Sequence, residues 1–286
     1  MSLPRLLICL ALAAAGARAP AQEPLRTLMD QAREAQLAGQ WARSIELLNQ
    51  VLAQEPNLPQ AYFLRGVAHD SLRRYEAAIA DFDRVFELDQ GVPQVYNHRG
   101  ATQFKLGRIE AAIADFDRAL EMAPEQRPYH WQRGIALYLA DRFEEARRQF
   151  ELHRTVNPDD VENAAWHFAC AARLEGPEAA RRALLPEGRD DRVAMKEIYA
   201  LYAGTGSEAA IFAAARAGDP PPLRLHPQLF YSHYYVALYH EANGRSEPAL
   251  EHLTRAAEDH PVNQYMGDVA RVHLELRRRA AAAPKP

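Results

Sequence analysis

Apolar and small side chains recur along this chain with a period of 34 residues, and within each period their spacing is helical. Three triplets of identical residues mark that period, namely Gly66, Gly100 and Gly134; Ala78, Ala112 and Ala146; and Phe82, Phe116 and Phe150. An alanine and a phenylalanine four residues apart share one face of a helix. Each period therefore predicts two helices, the first carrying the glycine and the second carrying the alanine and phenylalanine.

The residue types within each predicted helix pair explain why the pairs should stack on one another. The glycine lets its two helices approach closely, and a proline after the second helix ends it because proline cannot continue a helix. Such prolines stand at Pro56, Pro124, Pro158 and Pro261, and Gln90 replaces one. A single pair cannot bury its own apolar stripe, whereas several stacked pairs can. The sequence thus predicts an all-α stack of helix pairs.

The period also sets the predicted organisation of the chain. Clear repeats are predicted within 22–160, at 25–58, 59–92, 93–126 and 127–160, and again at 230–263. Gly134 and Ala237 lie three periods plus one residue apart, so 161–229 is predicted to hold two degenerate repeats. Its helices are predicted near 161–174, 177–185, 191–203 and 207–217, followed by a proline-rich loop from Gly218 to Pro227. A capping helix is predicted at 264–281 and a short tail at 282–286.

The first residues resemble a secretory signal peptide. Arg5 precedes an uncharged apolar run, and Ala19-Pro20-Ala21 offers small residues for cleavage before Gln22, with cleavage after Ala19 as the alternative. The run is too short to span a bilayer. Because Ile8 precedes Cys9 where a lipobox needs a small residue, lipidation at Cys9 is not expected. Residues 1–21 therefore predict an exported protein, periplasmic, secreted or peripheral to the outer membrane, with no transmembrane segment in the mature chain.

Composition narrows the function classes. The 286 residues are 48% hydrophobic and 25% charged, which is globular composition, and the net charge of −4 argues against nucleic-acid binding. Removal of the signal peptide leaves Cys170 as the one cysteine. An internal disulfide is therefore not expected.

The sequence shows little sign of catalytic chemistry. It contains no glycine-rich phosphate loop, no His-Glu-x-x-His helix and no Gly-x-Ser-x-Gly elbow. His167 and Cys170 have the spacing of half a metal site, but packed core residues are the favoured interpretation. His233 and His240 are likewise interpreted as interior polar residues. No catalytic residue, metal or cofactor is predicted, and the protein is not expected to be an enzyme.

Three arginines recur with the repeat period, at Arg65, Arg99 and Arg133. They are spaced to hold an anion, but Asp81 and Asp115 recur near enough to pair with them. A structural ladder of ion pairs is therefore favoured over an anion site.

The repeat pattern resembles the tetratricopeptide family, with its small residue in the first helix, Ala-x-x-x-Phe in the second and closing proline. The resemblance implies a right-handed superhelical solenoid whose first helices line a concave groove for proteins or peptides. The residues predicted to bind a partner in that groove are Phe63, Val67, Asn97, Phe104, Trp131, Ile135 and Tyr138. In the alternative interpretation the superhelix itself or a second subunit covers some of them.

A finer resemblance is to the NlpI-type envelope lipoproteins. It rests on the order of clear and degenerate repeats, with the phrases Arg133–Tyr138 and Asn157–Asp160 and a late tyrosine-rich repeat. The resemblance implies a homodimeric, non-catalytic adaptor that binds peptidoglycan hydrolases and a processing protease. The alternatives are a pilus or secretion-system assembly factor of the pilotin type and, least favoured, a metal-dependent enzyme.

Overall fold

The computed structural model describes residues 22–89, 93–186 and 188–282, which form helices and no strands. The predicted signal peptide and Cys9 lie outside these ranges, as does the predicted tail beyond residue 282. None of the described helices is both long and apolar enough to cross a membrane. In chain order they are α1 (Gln22–Leu37), α2 (Trp41–Gln54), α3 (Pro59–Ser71), α4 (Tyr75–Leu88), α5 (Pro93–Lys105), α6 (Ile109–Met122), a 3₁₀ helix (Pro124–Tyr129), α7 (Trp131–Leu139), α8 (Phe143–Arg154), α9 (Val161–Glu175), α10 (Pro177–Arg182), α11 (Met195–Ala203), α12 (Glu208–Arg216), α13 (Pro222–Ala242), α14 (Ser246–Thr254), a π-helical turn (Arg255–Asp259) and α15 (Tyr265–Ala282).

The periodic glycines mark the closest approach within three of the helix pairs. A Cβ atom added at Gly66 would lie 2.6 Å from a ring carbon of Phe82. At Gly100 and at Gly134 the same distance to the paired phenylalanine would be 2.8 Å. Any larger residue would push the ring away, so the glycine and the phenylalanine are required together.

The arginine ladder is structural, as predicted. Arg65 binds both carboxylate oxygens of Asp81, with Nη2–Oδ1 at 2.6 Å and Nε–Oδ2 at 2.9 Å, and Arg99 binds Asp115 with the same two distances. The third arginine differs, because Gln149 replaces the aspartate there. Arg133 Nε donates instead to Asp117 Oδ1, at 2.5 Å. The guanidinium groups are thus engaged in joining helices.

The segment 161–229, predicted to hold two degenerate repeats, lacks a clear hydrophobic period because its first helix is buried. Helix α9 is buried on every side from Val161 to Ala172 except at Glu162, since it packs against α8, α10, α11 and α13. A helix surrounded in this way is apolar all round and loses its amphipathic stripe. Helices α9 to α12 correspond to the four helices that the sequence predicted for this segment. Two boundaries differ, because α10 ends at Arg182 and α11 begins only at Met195.

The loop predicted from Gly218 to Pro227 is shorter than expected. Helix α13 begins at Pro222 and contains Pro227. The prediction was wrong at Pro222 because the first turn of a helix tolerates proline, whose missing N–H would have had no intrahelical partner there. Pro227 stands inside the helix, beyond that first turn.

Helix α15 does more than cap the end of the stack. Its first turns reach across the predicted groove to α5, and its later turns pack on α14. Arg73 Nη1 lies 3.2 Å from Asp268 Oδ1, and Arg271 Nη2 donates to the Lys105 carbonyl at 2.5 Å. The curvature of the stack thus brings α5 against Arg271 of the predicted capping helix.

The buried cysteine gives a first test of the packing. Cys170 is fully buried in α9, and burial raises the pKa of its thiol. Because the thiolate is the reactive form, a Cys9→Ser chain should react with less than about 0.1 equivalent of a thiol reagent in native buffer. In denaturant the Cys170 thiol should react completely. Rapid labelling in native buffer would contradict the burial of α9.

Candidate functional site

The seven residues predicted to line a groove lie on the first helices of the second, third and fourth pairs. Phe63, Val67, Asn97 and Trp131 are partly exposed. Phe104 and Tyr138 are 0% exposed and Ile135 is 1% exposed. The predicted groove is therefore open along part of its length only.

Helices α13 and α15 of the same chain cover the rest of the predicted groove. Phe104 stacks on Tyr265 of α15 with ring centroids 5.5 Å apart. The Tyr138 hydroxyl donates to Glu241 Oε1 of α13 at 2.9 Å. The prediction that Phe104 and Tyr138 bind a partner was thus wrong, because α13 and α15 occupy the space in which a partner would lie.

The start of α15 leaves a cavity on each side. One, of about 320 Å³, lies between the fourth helix pair, α9 and the start of α15. We call it the aromatic cavity, and its apolar lining includes Trp131, Ile135, Trp166, Tyr231, Tyr265 and Met266. Two of the seven predicted residues, Trp131 and Ile135, line it. The Trp131 ring stands edge-on to Tyr265, with centroids 5.4 Å apart. These two side chains of the cavity lining therefore hold each other in place without a ligand.

Two polar atoms of residues that line the aromatic cavity, Asn163 Oδ1 and the Tyr265 hydroxyl, have no hydrogen-bond partner among the described residues. Asn163 is 3% exposed and lines the cavity, and its Nδ2 donates to the Phe150 carbonyl at 3.0 Å. Among the described residues, none donates a hydrogen bond to its Oδ1. A buried acceptor without a partner costs about 1–3 kcal/mol. A ligand that carries an N–H or O–H donor would recover this energy.

The acidic side chains at the rim of the aromatic cavity are already paired. Asp160 and Glu162 line it, and Arg192 binds both carboxylates, with Nη2–Asp160 Oδ1 at 2.7 Å, as well as that of Asp190. Burial, together with Asp160, raises the pKa of Glu162 against the opposing pull of Arg192. Because these carboxylates outnumber the one guanidinium, the rim disfavours an anion, and the aromatic lining favours an apolar group.

The second cavity, of about 660 Å³, is lined by charged residues that are already paired. Lys105 Nζ lies 2.5 Å from Asp70 Oδ2, and Arg73 binds Asp268. An anionic peptide terminus would have to break these pairs. This cavity is the weaker candidate for ligand binding.

Asn97 has a structural partner that the sequence did not reveal. His130 Nε2 lies 2.8 Å from Asn97 Oδ1, and His130 Nδ1 accepts from the Arg133 amide at 3.3 Å. Burial lowers the pKa of His130 to about 4, so the ring is neutral and donates through Nε2. Asn97 therefore joins α5 to α7 through this hydrogen bond.

The sequence candidates on α9 also lie in packed surroundings. His167 Nε2 is 3.4 Å from Glu151 Oε1, and Cys170 is fully buried beneath it in α9. Burial lowers the pKa of His167, opposed by its hydrogen bond to Glu151. The pair acts as core and ion-pair residues in this arrangement.

Comparisons with known proteins agree with this architecture. The tetratricopeptide repeat family matches residues 29–93 and 93–126. No curated protein sequence matches the chain. Three similar crystal structures are a tetratricopeptide repeat protein from Parabacteroides merdae (17% identity, 90% of this chain and 99% of that one, TM-score 0.58), MamA from Desulfovibrio magneticus (16%, 56% and 90%, 0.52) and YrrB, described as having an unusual peptide-binding site (17%, 56% and 84%, 0.51). At such identities the likeness shows a shared fold.

Proposed function

We propose that this chain, whose residues 29–126 match tetratricopeptide repeats, is a non-catalytic scaffold whose aromatic cavity holds an apolar side chain of a partner protein. The observation that carries the proposal is the cavity itself, which Trp131, Trp166 and Tyr231 line together with Asn163, whose Oδ1 has no hydrogen-bond partner among the described residues. Aromatic residues in a desolvated pocket commonly dominate the energy of protein interfaces. The extended surface of a repeat array supplies the remaining contacts.

The size and chemistry of the aromatic cavity favour a peptide side chain over a cofactor. Its volume of about 320 Å³ lies at the lower end of the range for ligand pockets. One large apolar side chain with its adjoining backbone N–H would fill it, and that N–H would reach the Asn163 acceptor. A dinucleotide or a flavin would require more space and more polar partners.

The hydrogen bonds and ion pairs already made by titratable groups of the lining also favour a binding role. The acidic residues at the cavity rim, Asp160 and Glu162, are bound by Arg192. His153 Nδ1 lies 2.8 Å from the Pro128 carbonyl, to which it is hydrogen-bonded. General acid–base catalysis needs a titratable group free to exchange a proton with a substrate. The lining offers shape and apolar area instead.

Replacing Trp131 by alanine should weaken peptide binding by at least about tenfold, because a central aromatic anchor of an interface typically contributes 2 kcal/mol or more. Peptides would first be selected from a random display library on the purified protein and then measured by calorimetry. Tyr129→Ala is the matched control, since Tyr129 is an aromatic residue two positions away and 58% exposed. Its affinity should be unchanged.

A second variant tests the cavity without removing its wall. Asn157 is an exposed residue at the rim, so Asn157→Trp should obstruct the entrance while leaving the melting temperature unchanged. It should reduce binding as Trp131→Ala does. Selected peptides that bind both variants and the parent equally would place the binding site elsewhere and overturn the proposal.

We further propose that the scaffold acts in the bacterial cell envelope, with peptidoglycan hydrolases and a processing protease as partners, and that it forms a homodimer. The support is the signal-like segment 1–21 and the resemblance to the NlpI-type lipoproteins. Fractionation should find the protein outside the cytoplasm, with mass spectrometry giving Gln22 as its first residue. A cytoplasmic, full-length product would contradict the location, and sedimentation at monomer mass would contradict the dimer.

A further inference from the structure

Three metal-ligating side chains meet where the last degenerate helix pair packs on the final clear pair. Glu208 is the first residue of α12, His240 lies near the end of α13, and His252 lies on α14. Glu208 Oε1 is 2.9 Å from His240 Nε2, and Glu208 Oε2 is 3.7 Å from His252 Nε2. One donor atom from each of the three lies within 4.8 Å of the other two.

These separations suit a tetrahedral metal ion after small side-chain movements. Zinc bonds to imidazole nitrogen and carboxylate oxygen are about 2.0–2.2 Å long, which places neighbouring donor atoms about 3.4 Å apart. The two carboxylate–imidazole distances, each to a different oxygen of Glu208, lie on either side of that value. Two histidines with one glutamate form a known zinc-binding set, and the fourth position is then left for water. The Glu208 side chain is 36% exposed, so solvent and ions have access from its side.

A further histidine is placed to orient one of these three side chains. His233 Nδ1 lies 2.9 Å from His252 Nδ1. When His252 carries its proton on Nδ1 and donates it to His233, its Nε2 presents a lone pair on the side of Glu208. Metal-binding histidines generally donate their other ring N–H in this way, which fixes the tautomer and the orientation of the ring.

We propose that Glu208, His240 and His252 form a binding site for a divalent first-row transition metal ion such as Zn²⁺. This site lies apart from the aromatic cavity and is independent of the proposed scaffold function. The ion fastens α12 to α13 and α14, so its effect is to hold the degenerate pair against the clear pair beside it. His240 was predicted to be an interior polar residue; its partners lie on two other helices and share no short motif with it, so the sequence alone does not mark the site.

Metal binding by the full, untagged chain tests the proposal. After incubation with Zn²⁺ and dialysis, elemental analysis should find one bound ion per chain, and the melting temperature should rise by about 5 °C. Co²⁺ should bind in competition with Zn²⁺ and give the visible d–d absorption of tetrahedral coordination. Both signals should be lost in Glu208→Gln and in His252→Gln.

His226→Gln is the matched control. His226 lies on α13 like His240, but its Nε2 is hydrogen-bonded to the Pro261 carbonyl at 2.9 Å and contacts none of the three proposed ligands. Binding should be unchanged in this variant. Glu208→Gln replaces a half-exposed side chain by one of the same shape, so its circular dichroism without metal should match the parent. Failure of the parent chain to retain one ion, or equal retention by Glu208→Gln and His252→Gln, would overturn the proposal.

Discussion

Phe116→Ala is expected to lower the free energy of unfolding by about 3–5 kcal/mol, the usual cost of deleting a buried phenylalanine ring. Phe116 is 1% exposed, lies against Gly100 and packs at a tilt against His130, with ring centroids 4.7 Å apart. Its loss would leave a cavity between α5, α6 and α7, which the ring joins. Urea unfolding followed by circular dichroism measures the change. Leu37→Ala is the control, because Leu37 is 90% exposed and the expected effect is below about 0.5 kcal/mol.

A double-mutant cycle makes this test specific to the glycine–phenylalanine pair. Gly100→Ala alone should destabilise the protein by about 1–3 kcal/mol, since the new Cβ meets the ring of Phe116. In the Phe116→Ala background the same substitution should cost little, because the ring it would strike is gone. Additive effects of the two substitutions would contradict the packing described for this pair.

Glu241→Gln is the second change with a large expected effect. The Glu241 carboxylate lies 2.9 Å from His273 Nε2, accepts from Arg277 Nη2 at 2.8 Å and accepts from the Tyr138 hydroxyl. Its side chain is only 10% exposed. Neutralising one partner of a buried ion pair leaves the other uncompensated and costs about 3–5 kcal/mol. The expected result is a fall of that size in the free energy of unfolding.

The same carboxylate predicts an acid limb in the stability of the protein. Burial opposes ionisation of Glu241, but His273 and Arg277 outweigh it and hold the pKa of that carboxyl well below its usual value. A lowered pKa adds stability that is fully present above the unfolded value of about 4.3 and is lost as the pH falls below it. Stability should therefore decline below about pH 5, and the decline should be smaller in Glu241→Gln.

An exposed glutamate provides the control for that profile. Glu258 pairs with Arg278 at 2.5 Å, and its side chain is 50% exposed. Glu258→Gln should leave both the stability at pH 7 and the acid limb nearly unchanged, because exposed ion pairs contribute little. If Glu241→Gln and the parent chain lost stability in parallel, the network around Glu241 would not be the source of the acid limb.

The helix pairs were predictable from the sequence because their determinants are local. Gly100 and Phe116 recur with the period, and each marks a contact within one pair. The position of α15 was not predictable in this way. Arg271 meets the Lys105 carbonyl across 166 positions of sequence, and only the curvature of the whole stack brings them together.

Some residues of the candidate binding site were likewise predictable from the sequence, and others were not. Trp131 and Ile135 occupy groove positions of a regular repeat, so the family pattern identified them. Asn163 and Tyr231 lie on α9 and α13, where no regular pattern marks a cavity lining. A buried asparagine beside aromatic residues gives no signal in one sequence, because the missing partner of its Oδ1 becomes visible only in three dimensions.

The return of α15 across the inner surface has a mechanical consequence. An open solenoid behaves as a spring, since each turn touches only its neighbours and small rotations add along its length. Here a cross-brace runs from Asp268 and Arg271 to Arg73 and Lys105, which fixes the pitch of the middle turns. A short segment of a partner can therefore bind in the aromatic cavity without moving α15. A long segment that followed the whole concave groove would first have to break the contacts of α15 with Arg73 and Lys105.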